Sequence, residues 1–343
     1  MWKYVLKRIG LAFLTSFIII TITFLLMKLL PYSRPVGTIE QQRSFYQHEI
    51  FLGFVQVFDE EQPQLGELLF NYKGEAFYYQ TPIFTQYFRW IGNIVTRWDW
   101  GKSAVISPNV DAINIIASKL PVSMSINIIA TLISVPLGIV LGIIAALKKN
   151  TKTDAFISTA VMVLISIPSF VLITFLMLFF CYQAGWLPTQ WPSVTAPAGQ
   201  RALGYVIPLV SLSIGSVAGY TRFTRAELCE VMSSDYLLLA RTKGLTKRQA
   251  IIRHALRNAM VPIVPAILAE FLSIMGGSMI LERLYGIPGI GTLFVTAMDQ
   301  SNPDYNVLFV DMAVFTTFGL LAQVLLDISY GFIDPRIRMG AKK

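Results

Sequence analysis

The sequence predicts an all-α, polytopic membrane protein with six transmembrane helices and both termini in the cytoplasm. Three observations predict it. Of 343 residues, 54% are hydrophobic and only 14% are charged, whereas soluble domains carry roughly a quarter charged residues. The apolar residues cluster into blocks of about twenty or more, the length a helix needs to cross roughly 30 Å of hydrocarbon at about 1.5 Å per residue. The basic residues divide unevenly between the segments that join those blocks.

The first block, Ile9 to Leu30, follows Lys3, Lys7 and Arg8. It is too long for the core of a secretory signal and no small-x-small cleavage site follows, so it reads as a retained first helix. Pro31 to Lys119 carries nine acidic and seven basic residues and no spanning block. It forms an extracytoplasmic loop or small cap, with Asp59-Glu60-Glu61 and several aromatics, and nothing in it dictates a particular fold. The remaining blocks run from Ser123 to Leu147, Ala155 to Tyr182, Leu203 to Tyr220, Ala259 to Leu281 and Val307 to Tyr330. Barrel strands would alternate apolar and polar residues; these runs are continuous. The chain thus divides into a first helix (1–30), the outer loop (31–119) and a core of five helices (120–343) that includes a cytoplasmic loop, 222–258.

With the N-terminus inside, the inner segments hold Lys3, Lys7, Arg8, Lys148, Lys149, Lys152, eight Lys or Arg between Arg222 and Arg257, and Arg336, Arg338, Lys342 and Lys343. These number eighteen, against Arg201 and Arg283 in the two short outer loops. Long loops translocate largely regardless of charge, so the outer loop is excluded from the count. The same asymmetry explains the net charge of +8 without nucleic acid as a partner. Two cysteines, Cys181 and Cys229, and two histidines, His48 and His254, are too few for a disulfide framework or a zinc site. The topology puts the cysteines on opposite sides of the membrane.

The most informative stretch runs from Asp235-Tyr236-Leu237-Leu238-Leu239-Ala240-Arg241-Thr242-Lys243-Gly244-Leu245 to His254-Ala255-Leu256-Arg257-Asn258. A short helix approaches Gly244, the glycine permits a tight turn, and a second amphipathic helix starts near Thr246. The product is a basic helix-turn-helix beneath the membrane. By itself it is equally readable as a solvated inner loop or a surface-bound helix.

This stretch resembles the coupling loop of binding-protein-dependent ABC importer permeases of the dipeptide and oligopeptide type. Their Tyr-x-x-x-Ala-Arg-x-Lys-Gly-Leu run, followed by His-Ala-x-x-Asn and proline, is matched by Tyr236, Ala240, Arg241, Lys243, Gly244, Leu245, His254, Ala255, Asn258 and Pro262. Trp98-Asp99-Trp100-Gly101-Lys102-Ser103 resembles that family's Gly-Asp-x-Gly-x-Ser run, with Trp98 in place of the first glycine. Ile167-Pro168-Ser169-Phe170, Pro288-Gly289-Ile290-Gly291 and Asp334-Pro335-Arg336 fall in the family's order. Pro31-Tyr32-Ser33-Arg34-Pro35 departs from the usual Pro-Gly-Asp-Pro, and about 36–65 diverge. Leu238 and Leu239 stand where the generic importer motif has Glu-Ala.

The resemblance implies the type I (MetI-like) importer permease fold in a bacterial cytoplasmic membrane. It also implies the partners: a second homologous permease, two cytoplasmic ATPases that bind ATP and magnesium, an extracytoplasmic substrate-binding protein and a peptide substrate. Asp235, Tyr236, Leu239, Ala240, Arg241, Lys243, Gly244, Leu245, His254 and Asn258 would couple this chain to an ATPase, with Tyr236 and Leu237 to Leu239 as apolar anchors and Arg241 and Lys243 for charge pairing.

No cofactor is expected on this chain itself. Its nearest approach to a phosphate-binding loop, Gly101-Lys102-Ser103, has Thr96 where that loop needs glycine. Gly286, Gly289 and Gly291 lack the spacing and preceding strand of a dinucleotide site. No nucleophile with a base or metal set can be assembled, which argues against a membrane enzyme.

Glu270, Asp311 and Asp327 lie within or near the last two spans. One charge at a helix centre costs on the order of 2.5 to 3.5 kcal/mol, while ten or so large apolar residues return about 3 to 6. The helices still insert. These acids are candidates for the translocation path, facing a peptide's amino terminus or basic side chains; bonding to neighbouring helices or hydration near an interface is the favoured reading for Asp311 and Asp327 and an equal one for Glu270. Pro168, Pro262 and Pro265 are candidate kinks or packing residues. Import of nickel, a sugar or an opine stays open, as does an ATP-independent channel or carrier. The coupling loop argues against the latter, and the lack of a His, Cys or Asp cluster argues against nickel.

Overall fold

The computed structural model describes residues 2–273 and 278–333. Asp334-Pro335-Arg336, the basic residues from Arg336 to Lys343, and 274–277 of the expected fifth span lie outside the described residues. Five helices are long and apolar enough to cross a membrane: Val5–Lys28, Ala112–Leu147, Ala198–Met232, Lys247–Leu272 and Tyr305–Ser329. Lys152–Ser166 and Ser169–Gln183, bent by 97° at the break between them, make a sixth when the pair is counted as one span. Six spans were expected, and three of them differ in form.

The third is broken. Pro168 cannot donate a backbone bond and holds Ile167 extended (φ −88°, ψ 118°), so helix α5 (Lys152–Ser166) stops and α6 (Ser169–Leu176) restarts beyond it. The fourth span continues twelve residues past Tyr220 as part of α8 (Val206–Met232), preceded by α7 (Ala198–Gly204). The fifth begins earlier than expected. α10 (Lys247–Ala250), a π-helical turn (Ile251–Ala255) and α11 (Leu256–Ser273) form one run, so the amphipathic helix near Thr246 is the foot of the span itself. Its expected outer end instead falls on a separate helix, α12 (Met279–Tyr285), where Glu282 is buried and accepts from Ser123 Oγ at 2.7 Å.

The described residues divide into two compact units. One comprises 7–121 and 288–320. Here α1 (Trp2–Lys28) leads into α2 (Ile39–Leu52), whose first turn is closed by a Thr38–Gln41 capping box and whose end is turned by Gly53 at φ +79°. Three strands follow: β1 (Val55–Phe58), β2 (Leu68–Tyr72) and β3 (Ala76–Gln80). They form an antiparallel sheet in the order β1-β3-β2, with Val55 opposite Gln80 and Tyr72 opposite Ala76. This small sheet is the exception to the all-α expectation. Dense aromatics cover it, Tyr46 stacking on Phe70 at 5.0 Å.

α3 (Ile83–Arg97), α13 (Ile290–Ala297) and the start of α14 (Tyr305–Ile333) complete this unit. Its main core joins Phe24, Trp90, Ile116, Leu293 and Phe309. Asp304, fully buried, accepts from Ser103 Oγ at 2.6 Å and from the backbone of Val105 and Ile106, so it ties the outer segment to the start of α14. Trp98 ends α3 in a left-handed conformation (φ +55°). That geometry explains why a glycine suits this position, and why tryptophan there carries strain.

The other unit comprises residues up to 6, 122–287 and 321 onward. Within it, α4 (Ala112–Leu147) meets α8 at the spacing Gly138-x-x-x-Gly142. A Cβ at Gly138 would stand 2.6 Å from Cβ of Tyr220, and one at Gly142 2.6 Å from Cβ of Thr224 and 2.8 Å from the Thr221 carbonyl. Only the missing side chains let the backbones come this close.

Candidate functional site: the helix beneath the membrane

α8 ends at Ser233, and Ser234 adopts the extended conformation (φ −79°, ψ 147°) that precedes a new helix, α9 (Asp235–Thr242). Asp235 lies in its first turn, where negative charge complements the helix dipole. The chain then reverses through Gly244 at φ +95°, a conformation costly for any residue with a Cβ. Thr246 and Gln249 close the next helix with a reciprocal capping box, at 3.1 and 3.3 Å.

One side chain holds α9 in place. Leu237 is buried with Leu228, Ala146, Ala250, Ile251, Ala255 and Ala259 in a single cluster, with Leu245 packed against it. The sequence groups Leu237 with the outward anchors, but in the structure it is buried against α8 and the foot of the fifth span. Tyr236, Leu238 and Leu239 are exposed, as are Arg241, Lys243, His254 and Asn258, while Ala240 is half-buried. A groove of about 220 Å³, lined in part by Asp235, Leu238, Arg241, Lys247 and Ile251, runs beside α9. The arrangement offers an apolar edge flanked by cations, mounted on the ends of two spans.

The strongest electrostatic contact near this site was not anticipated from the sequence. Asp154, close to the start of α5 and 6% exposed in its side chain, accepts two parallel bonds from Arg225 of α8 at 2.6 and 2.8 Å. It also accepts from the Asn150 backbone at 3.0 Å. A readable signal existed, since an acid and a base near span ends need partners. Gly138 and Gly142 carried another, the small-x-x-x-small spacing.

The three candidate path acids fall in different settings. Glu270 of α11 accepts from Ser216 Oγ of α8 at 2.8 Å. Asp327 is half-buried, 3.4 Å from Gln323 Nε2 on its own helix. Asp311, fully buried, belongs to the unit containing the start of α14.

Apolar spans with an exposed basic helix-turn-helix at the ends of two of them define a multi-pass membrane protein. Residues 138–339 match the family described as binding-protein-dependent transport system inner membrane component, and the chain belongs to that family. It is thus a multi-pass inner-membrane protein. It is 32% identical over 339 residues to the oligopeptide transport system permease protein OppB of Haemophilus influenzae, covering 98% of this chain and 100% of that protein. It is 31% identical over 343 residues to the dipeptide transport system permease protein DppB of Lactococcus lactis subsp. cremoris, covering 99% and 100%. An inward-facing structure of the MetNI methionine ABC transporter shares the fold at a TM-score of 0.52 and 15% identity, covering 65% of this chain and 97% of that one.

Proposed function

We propose that this chain is a permease subunit of an ATP-driven importer for oligopeptides or dipeptides. Full-length similarity to permeases named for those substrates supports the reading. A second homologous permease completes the translocation path, an extracytoplasmic binding protein delivers the peptide, and two cytoplasmic ATPases bind ATP and magnesium. The chain itself hydrolyses nothing and holds no cofactor. Both termini and α9 lie on the cytoplasmic side, where the eighteen basic residues gather.

The observation that carries the coupling assignment is the split of α9 into a buried Leu237 and an exposed Tyr236, Leu238 and Leu239. An inner face anchored in the spans and an outer face offered to a partner make α9 a docking helix that passes displacement on to α8 and α11. Asp235, Ala240, Arg241, Lys243, Gly244, Leu245, His254 and Asn258 shape and charge the same surface.

Replacing Leu239 with Glu tests this in the assembled transporter. Uptake and the stimulation of ATPase activity by loaded binding protein should both fall, with the chain still inserted. Unchanged coupling would overturn the assignment. Glu270, Asp311 and Asp327 are assigned to the path. For Glu270→Gln, altered uptake of cationic relative to neutral peptides supports that role, and an identical profile reduces Glu270 to a tie between α11 and α8.

A further inference from the structure

α3 carries an apolar stripe that the described residues leave uncovered. Phe84, Phe88 and Val95 are 74%, 69% and 78% exposed. At about 100° per residue these three fall within an arc of roughly 40° on the helix. The next arc, through Tyr87, Ile94 and Trp90, packs against α1. Tyr87 Oη lies 2.9 Å from Thr21 Oγ1, and the Trp90 ring stacks on Phe24 at 4.7 Å. The opposite side holds Gln86 and Asn93, both buried, donating to the carbonyls of Thr81 and Leu52. Between that side and the stripe lie the exposed polar residues Thr85, Arg89 and Thr96.

The depth of α3 follows from α1. Val5–Lys28 is a span, and Thr21 lies seven residues before its end, so Tyr87 engages α1 about 10 Å inside the apolar length at about 1.5 Å per residue. The stripe adjoins the edge that packs on α1 at that depth, and on α1 itself the apolar residues Phe17, Ile18, Ile22 and Leu26 are also exposed.

We propose that α3 lies along the membrane interface at the Lys28 end of α1, with Phe84, Phe88 and Val95 sunk among lipid chains and Thr85, Arg89 and Thr96 toward the headgroups and water. The occupant of the stripe is lipid. Interfacial helices combine such an apolar face with a polar, basic one and sink it about 5–10 Å below the headgroups, and aromatic residues favour that layer.

The test uses the assembled transporter in bilayers of phosphatidylcholine and phosphatidylglycerol. With the wild-type chain, a carbene reagent confined to the lipid should label the peptide containing Phe84, Phe88 and Val95 to a degree comparable with α1. Absence of label there would overturn the proposal. In a second measurement, Cys181 and Cys229 are replaced by serine and spin labels are placed at Phe88→Cys, Val95→Cys and Thr96→Cys. Oxygen should relax the labels at 88 and 95 several-fold more than a water-soluble nickel chelate, with the ratio reversed at 96. Dominant relaxation by nickel at 88 and 95 would put the stripe in water, and shielding from both reagents would put it against a second permease. Either result overturns the assignment.

Discussion

Arg225 of α8 clasps Asp154 of α5 through two parallel hydrogen bonds, Nε to Oδ1 at 2.6 Å and Nη2 to Oδ2 at 2.8 Å. The fork geometry suits only arginine. Arg225→Ala would strand a nearly buried carboxylate and should cost roughly 2–3 kcal/mol of stability. Arg225→Lys should recover only part of it. Removing both charges, as Asp154→Asn with Arg225→Ala, should cost less than Arg225→Ala alone. Thermal unfolding in detergent, run as a double-mutant cycle, checks the order.

The close approach of α4 and α8 makes a second prediction. Gly142→Val would drive a side chain into Thr224 and the Thr221 carbonyl, an overpacking that should cost about 1–3 kcal/mol and abolish uptake. Gly215→Ala, with nothing within 4 Å of the added carbon, should leave uptake intact. Equal behaviour of the two variants would contradict the helix contact.

At Gly244 the constraint is conformational. A Cβ there meets nothing within 4 Å, but φ is +95°. Gly244→Val should therefore disturb the turn by about 1–2 kcal/mol or more and uncouple ATPase activity from uptake. Gly244→Asn should be milder, since asparagine tolerates left-handed backbone better than a β-branched residue. The ratio of uptake to ATPase turnover in the two variants is the measurement.

Glu49 offers a test by pH. It is buried, accepts from Tyr32 Oη at 2.9 Å and borders a cavity of about 50 Å³ together with Lys28 and Trp100. Burial pushes its carboxyl above the ordinary value of 4.5, against the opposing pull of Lys28. A raised folded value means the native state holds its proton more tightly than the unfolded chain. That contribution is present in full below the ordinary value and is lost as pH rises through the raised one. Glu49→Gln keeps an acceptor for Tyr32 and removes the titration. The melting temperature of the variant, relative to wild type, should rise across the window from the ordinary carboxyl value of 4.5 up to the raised one. A constant difference across that window would refute it.

The spans were legible because lipid demands a simple signal, long apolar runs with basic residues on one side. The helix-turn-helix was legible from Gly244 and the Thr246–Gln249 cap. What escaped was set by contacts distant in sequence. The sheet from Val55 to Gln80 is built of strands of only four or five residues, whose Val, Phe and Tyr favour strand but whose runs are too short to stand out from aromatic loop. Leu237 and Leu239 are chemically alike, and only the neighbouring Ala250 and Leu228 decide which one turns inward. The bond between Ser103 and Asp304 links residues 201 positions apart, beyond any local pattern. The early start of the fifth span at Lys247 was hidden by its basic residues, which mark a helix reaching past the bilayer as readily as a loop.

The glycine contacts also fix the direction of travel through the bilayer. Gly138 meets Tyr220 and Gly142 meets Thr224, so the numbering rises together along α4 and α8 and the two helices run parallel. A chain that goes the same way twice must come back once in between. The only spans available for that return are α5 and α6, so the pair bent at Pro168 is a net crossing and cannot be a hairpin that dips in and leaves on the side it entered.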